Sequence, residues 1–294
     1  MKDRILYISI SNVFACIGVV FLHCNHDAFW GGINNTPRIN WSANLIEVLF
    51  YWAVPVFFMN SGALLLEYRE KYTTAVFFRK RFYRTVIPFI FWSIMGLIYD
   101  IVFNGYSWHG NAFMVLQDIL NCKFISIYSF FINLFAIYLS MPLFSVVAKE
   151  DREKTYKYVI LLSFVFNACL PTFFALASCS FNQKIIPPVA TGYIIYPLIG
   201  YLIKEKKMPK KQRILLYLLG IGGVGIQLLG TVTLSIEAGS LSETLKGYTN
   251  FPAIMESVAI MVMFRYIPWD TILPHKCELC KKVTLNAIRG SETS

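Results

Sequence analysis

Eight long apolar stretches divide this chain, and its positive charges crowd into alternate connections between them. Of the 27 Lys and Arg residues, 23 lie in the two termini and in the connections that would share their side. The remaining connections hold only Arg38, Lys123, Lys184 and Lys246. Connections that stay in the cytoplasm retain an excess of Lys and Arg. The pattern therefore predicts a multi-pass membrane protein with both termini in the cytoplasm.

The predicted fold class is all-α, a polytopic bundle of about eight transmembrane helices. A span needs about 20 apolar residues to cross ~30 Å of hydrocarbon. Because no water is present there, the backbone must satisfy its own hydrogen bonds, and a helix does so. A transmembrane domain over residues 1–266 is expected, followed by a polar cytoplasmic tail over 267–294. The predicted spans are 5–24, 43–66, 85–104, 126–147, 158–178, 189–203, 214–235 and 250–266.

The composition argues against a soluble domain and against a nucleic-acid partner. Hydrophobic residues make up 56% of the chain and charged residues only 15%, whereas soluble domains carry about a quarter charged residues. The net charge of +10 is spread over several connections. We therefore interpret most of it as topology-determining charge that faces anionic membrane lipid.

The cysteines do not predict a metal site. Cys277 and Cys280 form a CxxC pair beside His275 in the tail. Structural metal sites usually take four protein ligands, and this group offers three at most. Free thiols are the favoured interpretation.

His23 is the leading catalytic candidate from the residues alone. It closes the first span at its predicted outer end, and ionisable groups at membrane depth are costly enough to be functional hypotheses. An imidazole with an ordinary pKa near 6.5 suits proton abstraction from a hydroxyl. An interfacial histidine that merely reaches toward water explains the position equally well.

Other polar residues in the spans are weaker candidates. Asn12 lies eleven residues before His23, about 16 Å deeper along a helix and on roughly the same face. Glu47, near the outer end of its span, is a candidate for orienting the imidazole, as is Glu256, although both acids can simply extend toward water. Ser61, in the run Asn60-Ser61-Gly62, would let a ligand approach closely, and ordinary helix packing accounts for it equally well.

The basic segment before the third span suggests an anion site. Arg81 and Arg84 are three residues apart, so a helix would place them on one face. Two guanidinium groups on one face can bind a phosphate. Arg79 belongs to the same segment. By charge alone, however, a plain cytoplasmic anchor is the simpler interpretation.

Four segments together resemble the acyltransferase-3 family of integral membrane acyltransferases, most clearly over residues 4–104 and more faintly to about 266. The resemblance depends on their order and spacing. The segments are Val19-Val20-Phe21-Leu22-His23, Val54-Pro55-Val56-Phe57-Phe58-Met59-Asn60-Ser61-Gly62, Phe77-Phe78-Arg79-Lys80-Arg81-Phe82-Tyr83-Arg84-Thr85-Val86-Ile87-Pro88 and Tyr193-Ile194-Ile195-Tyr196-Pro197-Leu198-Ile199-Gly200-Tyr201.

The resemblance implies transfer of an acyl group, commonly acetyl from acetyl-CoA, to a hydroxyl of a glycan or similar envelope molecule. It makes His23 the catalytic residue, and it makes Arg81 and Arg84 ligands of the CoA phosphates. We add Asn12 and Glu47 to the catalytic candidates, and Arg79 and Ser61 to the cofactor-binding ones. The implied location is a plasma membrane, of bacterial type, and the implied donor is an acyl-CoA without a metal.

The chain departs from the family pattern in two places. The family usually has Arg or Lys where this chain has Asn12, and it generally has about ten spans. Because of these departures, an inactive member of the family remains an alternative. A small-molecule or glycan transporter or flippase is a further alternative, for which an inverted internal repeat would be expected; the sequence shows no repeat.

Overall fold

The computed structural model describes residues 3–34, 41–106 and 111–272, and every regular element in these ranges is helical. The all-α prediction is confirmed for this part of the chain. Arg38, His275, Cys277, Cys280 and most of the predicted tail lie outside the described residues. The α-helices are α1 Asp3–Asn34, α2 Trp41–Phe50, α3 Ala53–Leu65, α4 Thr74–Arg81, α5 Ile87–Phe103, α6 Ala112–Leu120, α7 Ser129–Ser145, α8 Arg152–Leu162, α9 Leu170–Leu176, α10 Ile195–Glu205, α11 Lys210–Ala238, α12 Phe251–Tyr266 and α13 Trp269–Ile272.

Six helical stretches within the described ranges are long and apolar enough to cross a membrane. They correspond to six of the eight predicted spans. The other two, 189–203 and 250–266, coincide with α10 and α12, which have 11 and 16 residues. Whether these shorter helices also cross the membrane stays a prediction. The six stretches are Leu6–Trp30, Trp41–Glu70, Thr74–Phe103, Ser126–Ser145, Arg152–Leu176 and Lys210–Ala238.

The chain forms two compact units. Unit 1 consists of Met1–Leu65 and Val147–Ser294, and unit 2 consists of Leu66–Val146. The composition gives no hint of this division, because both units are built from apolar helices of similar character.

Helices α3, α10 and α12 supply the buried centre of unit 1. Gly62 of α3 lies directly against the backbone of Pro197, and Gly200 of α10 lies against the backbone of Met59. A Cβ atom at either glycine would overlap the opposite backbone. Small residues thus let two helices approach closely, as is common between membrane helices. The sequence had left open whether the small residue at position 62 serves helix packing or a ligand. Close helix packing accounts for it.

Unit 2 has its own aromatic core. Phe89 of α5 packs with Ile119 of α6 and with Cys122. The rings of Phe131 and Phe135 in α7 lie 5.9 Å and 5.4 Å from that of Phe89. This core holds the helices that follow the basic segment.

The long-range contacts of unit 1 agree with the alternation predicted from charge. At the predicted outer ends, Asn25 of α1 donates to the Ala43 carbonyl of α2 at 2.8 Å. At the predicted inner ends, the Met208 amide donates to the Tyr266 hydroxyl at 2.5 Å. Segments assigned to one side contact each other at both ends. The side of the membrane on which each end lies stays a prediction.

Candidate active site

His23 lies beside the buried face of α1. That face contains Ala15, Gly18, Asn25 and Phe29, and it packs mainly on α2 and α3. The His23 side chain is exposed, and it has no hydrogen-bond partner among the residues that the structure describes. The role of its ring in catalysis stays a prediction.

Asn12 joins α1 to α3 in the interior of unit 1. The Asn60 amide donates to Asn12 Oδ1 at 2.8 Å and to Ser11 Oγ at 2.9 Å. Neutral side-chain amides therefore make the contact between α1 and α3, whereas the family resemblance predicts a cation at position 12. The Oδ1 atom of Asn60 is buried without a hydrogen-bond partner.

Glu47 contacts the asparagine two residues beyond His23. The Asn25 amide donates to Glu47 Oε2 at 3.4 Å, in addition to its bond with the Ala43 carbonyl. Glu47 also interacts electrostatically with His26 and Lys246. Glu47 is therefore placed near the end of α1 but in contact with Asn25, and its predicted role in orienting His23 stays untested.

Lys246 is the residue that the sequence analysis missed. Its Nζ lies 4.8 Å from the centre of the Phe29 ring and 5.7 Å from that of Tyr51, and it is buried without a hydrogen-bond partner. Burial lowers the pKa of Lys246 to about 8, against the opposing attraction of Glu47 and Glu256. One signal was present in the sequence, because Lys246 is the single basic residue of the predicted outer connection 236–249.

Glu256 of α12 is the acidic counterpart of Lys246. Only 3% of its surface is exposed, and its Oε2 atom has no hydrogen-bond partner. Glu256 and Lys246 attract each other electrostatically. A buried carboxylate without a full set of partners is unfavourable, which marks this position as a candidate for function.

Ser61 is half-buried in α3, between Asn60 and the closely packed Gly62. Ser61 belongs to unit 1, whereas the basic segment belongs to unit 2. Its assignment to cofactor binding stays a prediction.

Arg81 lies on an aromatic support in unit 2. Its guanidinium carbon is 6.0 Å from the centre of the Phe77 ring and 5.7 Å from that of Tyr138. The Nε atom is buried without a hydrogen-bond partner. Stacking on rings fixes the orientation of a guanidinium while leaving its N–H groups directed outward. The assignment of Arg81 to anion binding stays a prediction.

The basic segment changes helix type between its arginines. Helix α4 ends at Arg81, and Phe82–Val86 form a π-helical turn before α5 begins. Such turns occur frequently at functional sites. Arg84 lies within this turn, so the spacing of a regular α-helix does not apply to the pair. Arg79 is exposed on α4.

Three cations of the basic segment interact with Tyr72. Lys80 Nζ lies 4.4 Å from the centre of its ring. Burial raises the pKa of the Tyr72 hydroxyl, and both Arg81 and Arg84 oppose that rise through their positive charge. Arg81 and Arg84 therefore both act electrostatically on Tyr72, and their joint binding of one anion stays a prediction.

A comparison with protein families shows the family of the chain. The model of the acyltransferase-3 family, described as an acyltransferase domain, matches residues 6–269. The chain belongs to the acyltransferase-3 family. The match includes His23, both arginines, Lys246 and Glu256. No curated protein and no solved structure matches the chain.

Proposed function

We propose that this membrane protein is an O-acyltransferase that moves an acyl group, acetyl in the simplest case, from cytoplasmic acyl-CoA to a hydroxyl of an envelope glycan. Its place would be the plasma membrane of a bacterial cell. The observation that carries the proposal is the exposed His23 imidazole, without described partners, at the predicted outer end of α1 in a member of an acyltransferase family.

In this proposal His23 acts as the general base. Its neutral ring takes the proton of the acceptor hydroxyl while the oxygen attacks the thioester carbonyl. A carbon–oxygen bond forms, the carbon–sulfur bond breaks, and the leaving CoA thiolate takes the proton back from the imidazolium. The products are an acyl ester and free CoA.

Arg81 and Arg84 bind the phosphates of the donor in the same proposal. Charge-assisted hydrogen bonds from guanidinium groups suit phosphate oxygens in both geometry and charge. The stacking of Arg81 on Phe77 and Tyr138 supports this role, because it reduces the freedom that the side chain loses on binding.

The test compares two histidine variants of the purified protein. With acetyl-CoA and extracted envelope glycan, His23→Ala should lower acetyl transfer by about 10²-fold or more, the lower part of the range for loss of a general base. Mass spectrometry would follow both free CoA and the acetylated glycan. Asp27→Asn, an exposed residue four positions further along α1, is the matched control and should retain transfer.

The result that would contradict the proposal is acetyl transfer by His23→Ala at the wild-type rate. Activity without any dependence on residue 23 would remove the base from the mechanism.

A further inference from the structure

Two arginines of unit 1 lie against one tyrosine at the predicted inner end of its helices. Arg213 belongs to the first turn of α11, and Arg265 and Tyr266 are the last two residues of α12. The guanidinium carbons of Arg213 and Arg265 lie 4.3 Å and 5.5 Å from the centre of the Tyr266 ring. The two positive groups can therefore be no further apart than the sum of these distances.

The described part of the chain does not neutralise these two guanidinium groups. Among the described residues no carboxylate forms an ion pair with Arg213 or Arg265, and no hydrogen bond uses their N–H groups. Arg213 Nε and Arg265 Nη1 are buried without a partner in the same ranges. Like charges at short range repel each other, and buried N–H groups are nearly always paired. An anion held by both arginines would offset the repulsion and accept hydrogen bonds from them.

Tyr266 supplies a further hydrogen-bond donor beside the two arginines. Its hydroxyl oxygen accepts from the Met208 amide at 2.5 Å, and its proton has no acceptor among the described residues. A phenolic hydroxyl both donates and accepts, so this proton remains to be donated. Tyr217, one turn beyond Arg213 on α11, interacts electrostatically with both Arg213 and Tyr266. We call Arg213, Arg265 and Tyr266 the double-arginine site.

The beginning of α11 adds to the positive potential of the double-arginine site. A helix starts with a positive partial charge, which favours acidic residues in the first turn and disfavours basic ones. The first turn of α11 contains Lys210 and Lys211 as well as Arg213, with no acidic residue and no capping side chain. Cations therefore lie where the helix dipole disfavours them, and a bound anion would offset that cost.

The surface of α11 that follows the double-arginine site is apolar. The side chains of Ile214, Leu215 and Leu218 are exposed, and they belong to a helix that is long and apolar enough to cross a membrane. Exposed apolar side chains on such a helix suit contact with lipid acyl chains. A ligand whose phosphate binds Arg213 and Arg265 can therefore place hydrocarbon chains along α11. A water-soluble phosphate compound gains nothing from this surface.

We propose that the double-arginine site binds the phosphate of an anionic phospholipid of the inner membrane leaflet. Guanidinium groups suit phosphate oxygens in geometry and charge, and basic pockets between membrane helices on the cytoplasmic side bind such headgroups. Stacking on Tyr266 orients both guanidinium groups, which distinguishes them from exposed lysines that serve only topology. The site lies in unit 1, whereas Arg81 and Arg84 lie in unit 2. The bound lipid is thus additional to the donor and the acceptor of the proposed reaction.

The experiment measures lipid binding to the purified chain by native mass spectrometry. Phosphatidylglycerol and phosphatidylcholine with identical acyl chains would be titrated, because both contain a phosphodiester but only the first carries a net negative charge. We expect phosphatidylglycerol to bind more tightly to the wild type, and Arg213→Gln and Arg265→Gln each to weaken its binding by about tenfold or more. Lys207→Ala removes an exposed cation three residues before α11 and is the matched control, which should bind as the wild type does. Unchanged binding of phosphatidylcholine would show that each variant is folded.

A variant that keeps its charge separates a specific site from general positive charge. Arg213→Lys retains the cation but lacks the planar guanidinium, so it should still bind phosphatidylglycerol more weakly than the wild type. Wild-type affinity in Arg213→Lys would overturn the inference, as would equal affinity of the wild type for the two lipids. Release of the bound lipid by inorganic phosphate or by CoA would assign the arginines to a soluble ligand and would also overturn it. These measurements involve no acetyl transfer, so their outcome is independent of the proposed function.

Discussion

Lys246 makes the stability of the protein depend on pH. Its pKa of about 8 lies below the ordinary value of 10.5, because burial against Phe29 and Tyr51 disfavours the ammonium form more than Glu47 and Glu256 favour it. The folded state therefore releases this proton at lower pH than the unfolded chain does. Between about pH 8 and 10.5 the unfolded state binds more protons, so folding stability contributed by this group rises with pH.

Thermal unfolding measured at about pH 7.5 and about pH 9.5 tests the predicted direction of the change in folding stability. Relative to Lys246→Met, the wild type should gain stability at the higher pH, by at most about 1.4 kcal/mol per pH unit. Ionisation of Tyr248 does not enter this window, because burial raises its pKa. The folding stability of Lys246→Met should lack this contribution at the higher pH. Equal pH dependence in the variant and the wild type would contradict the assignment.

Arg81 and Arg84 should contribute to donor affinity separately from chemistry. Each guanidinium that binds phosphate contributes about 1.5–3 kcal/mol, so loss of either should weaken CoA binding by about tenfold or more. Calorimetric titration of CoA into Arg81→Ala and Arg84→Ala measures this directly. Lys71→Ala, an exposed cation of the same unit, is the control. Wild-type affinity in both arginine variants would remove them from the donor site.

At the scale of single residues, the sequence could predict which side chains are candidates for function more readily than it could predict which side chains they contact. Glu47 and Glu256 stood out because carboxylates are costly inside spans. Their electrostatic partner Lys246 did not, because a lysine in a connection is ordinary until the structure shows it turned inward against Phe29. Asn12 was predicted to share a face with His23, and its contact with Asn60 became visible only once α1 and α3 were packed.

At the scale of elements, the contact between α3 and α10 has the clearest consequence for stability. Gly62→Ala would place a methyl group inside the backbone of Pro197, so the two helices would have to separate. Overpacking of this kind costs about 1–3 kcal/mol. Thermal unfolding of the purified variant measures it.

Gly222→Ala is the matched control for Gly62→Ala. Gly222 lies in α11 with open space where the Cβ atom would be placed. Alanine is the better helix former, so this variant should be at least as stable as the wild type. Equal destabilisation by both substitutions would mean that the close approach of α3 and α10 does not matter.

The sequence predicted the long helices better than the short ones. Long apolar runs give a strong signal by length alone, and six predicted spans have matching helical stretches. Helices α10 and α12 are short and largely enclosed by protein, so their ends are set by packing. The π-helical turn at Phe82–Val86 could not be predicted from hydropathy, because hydropathy does not distinguish a π-helical turn from an α-helical one.

At the scale of the whole molecule, the alternation of positive charge between successive connections gives the strongest prediction from the sequence. It depends on 23 of 27 basic residues, and two long-range hydrogen bonds of unit 1 join segments that it assigns to the same side. The division into two units was not predictable, because it depends on which helices pack together and not on composition. The family match covers both the His23 end of α1 and the arginines of the basic segment.

The central claim is that a base at the outer membrane face and a donor site at the inner face serve one reaction. The most direct measurement introduces a single cysteine, as His23→Cys or Arg79→Cys, into a variant that lacks native cysteines. A membrane-impermeant maleimide is then added to intact cells. We predict that residue 23 is labelled from outside and that residue 79 is labelled only after the membrane is opened. Labelling of both residues from the same face would contradict the account.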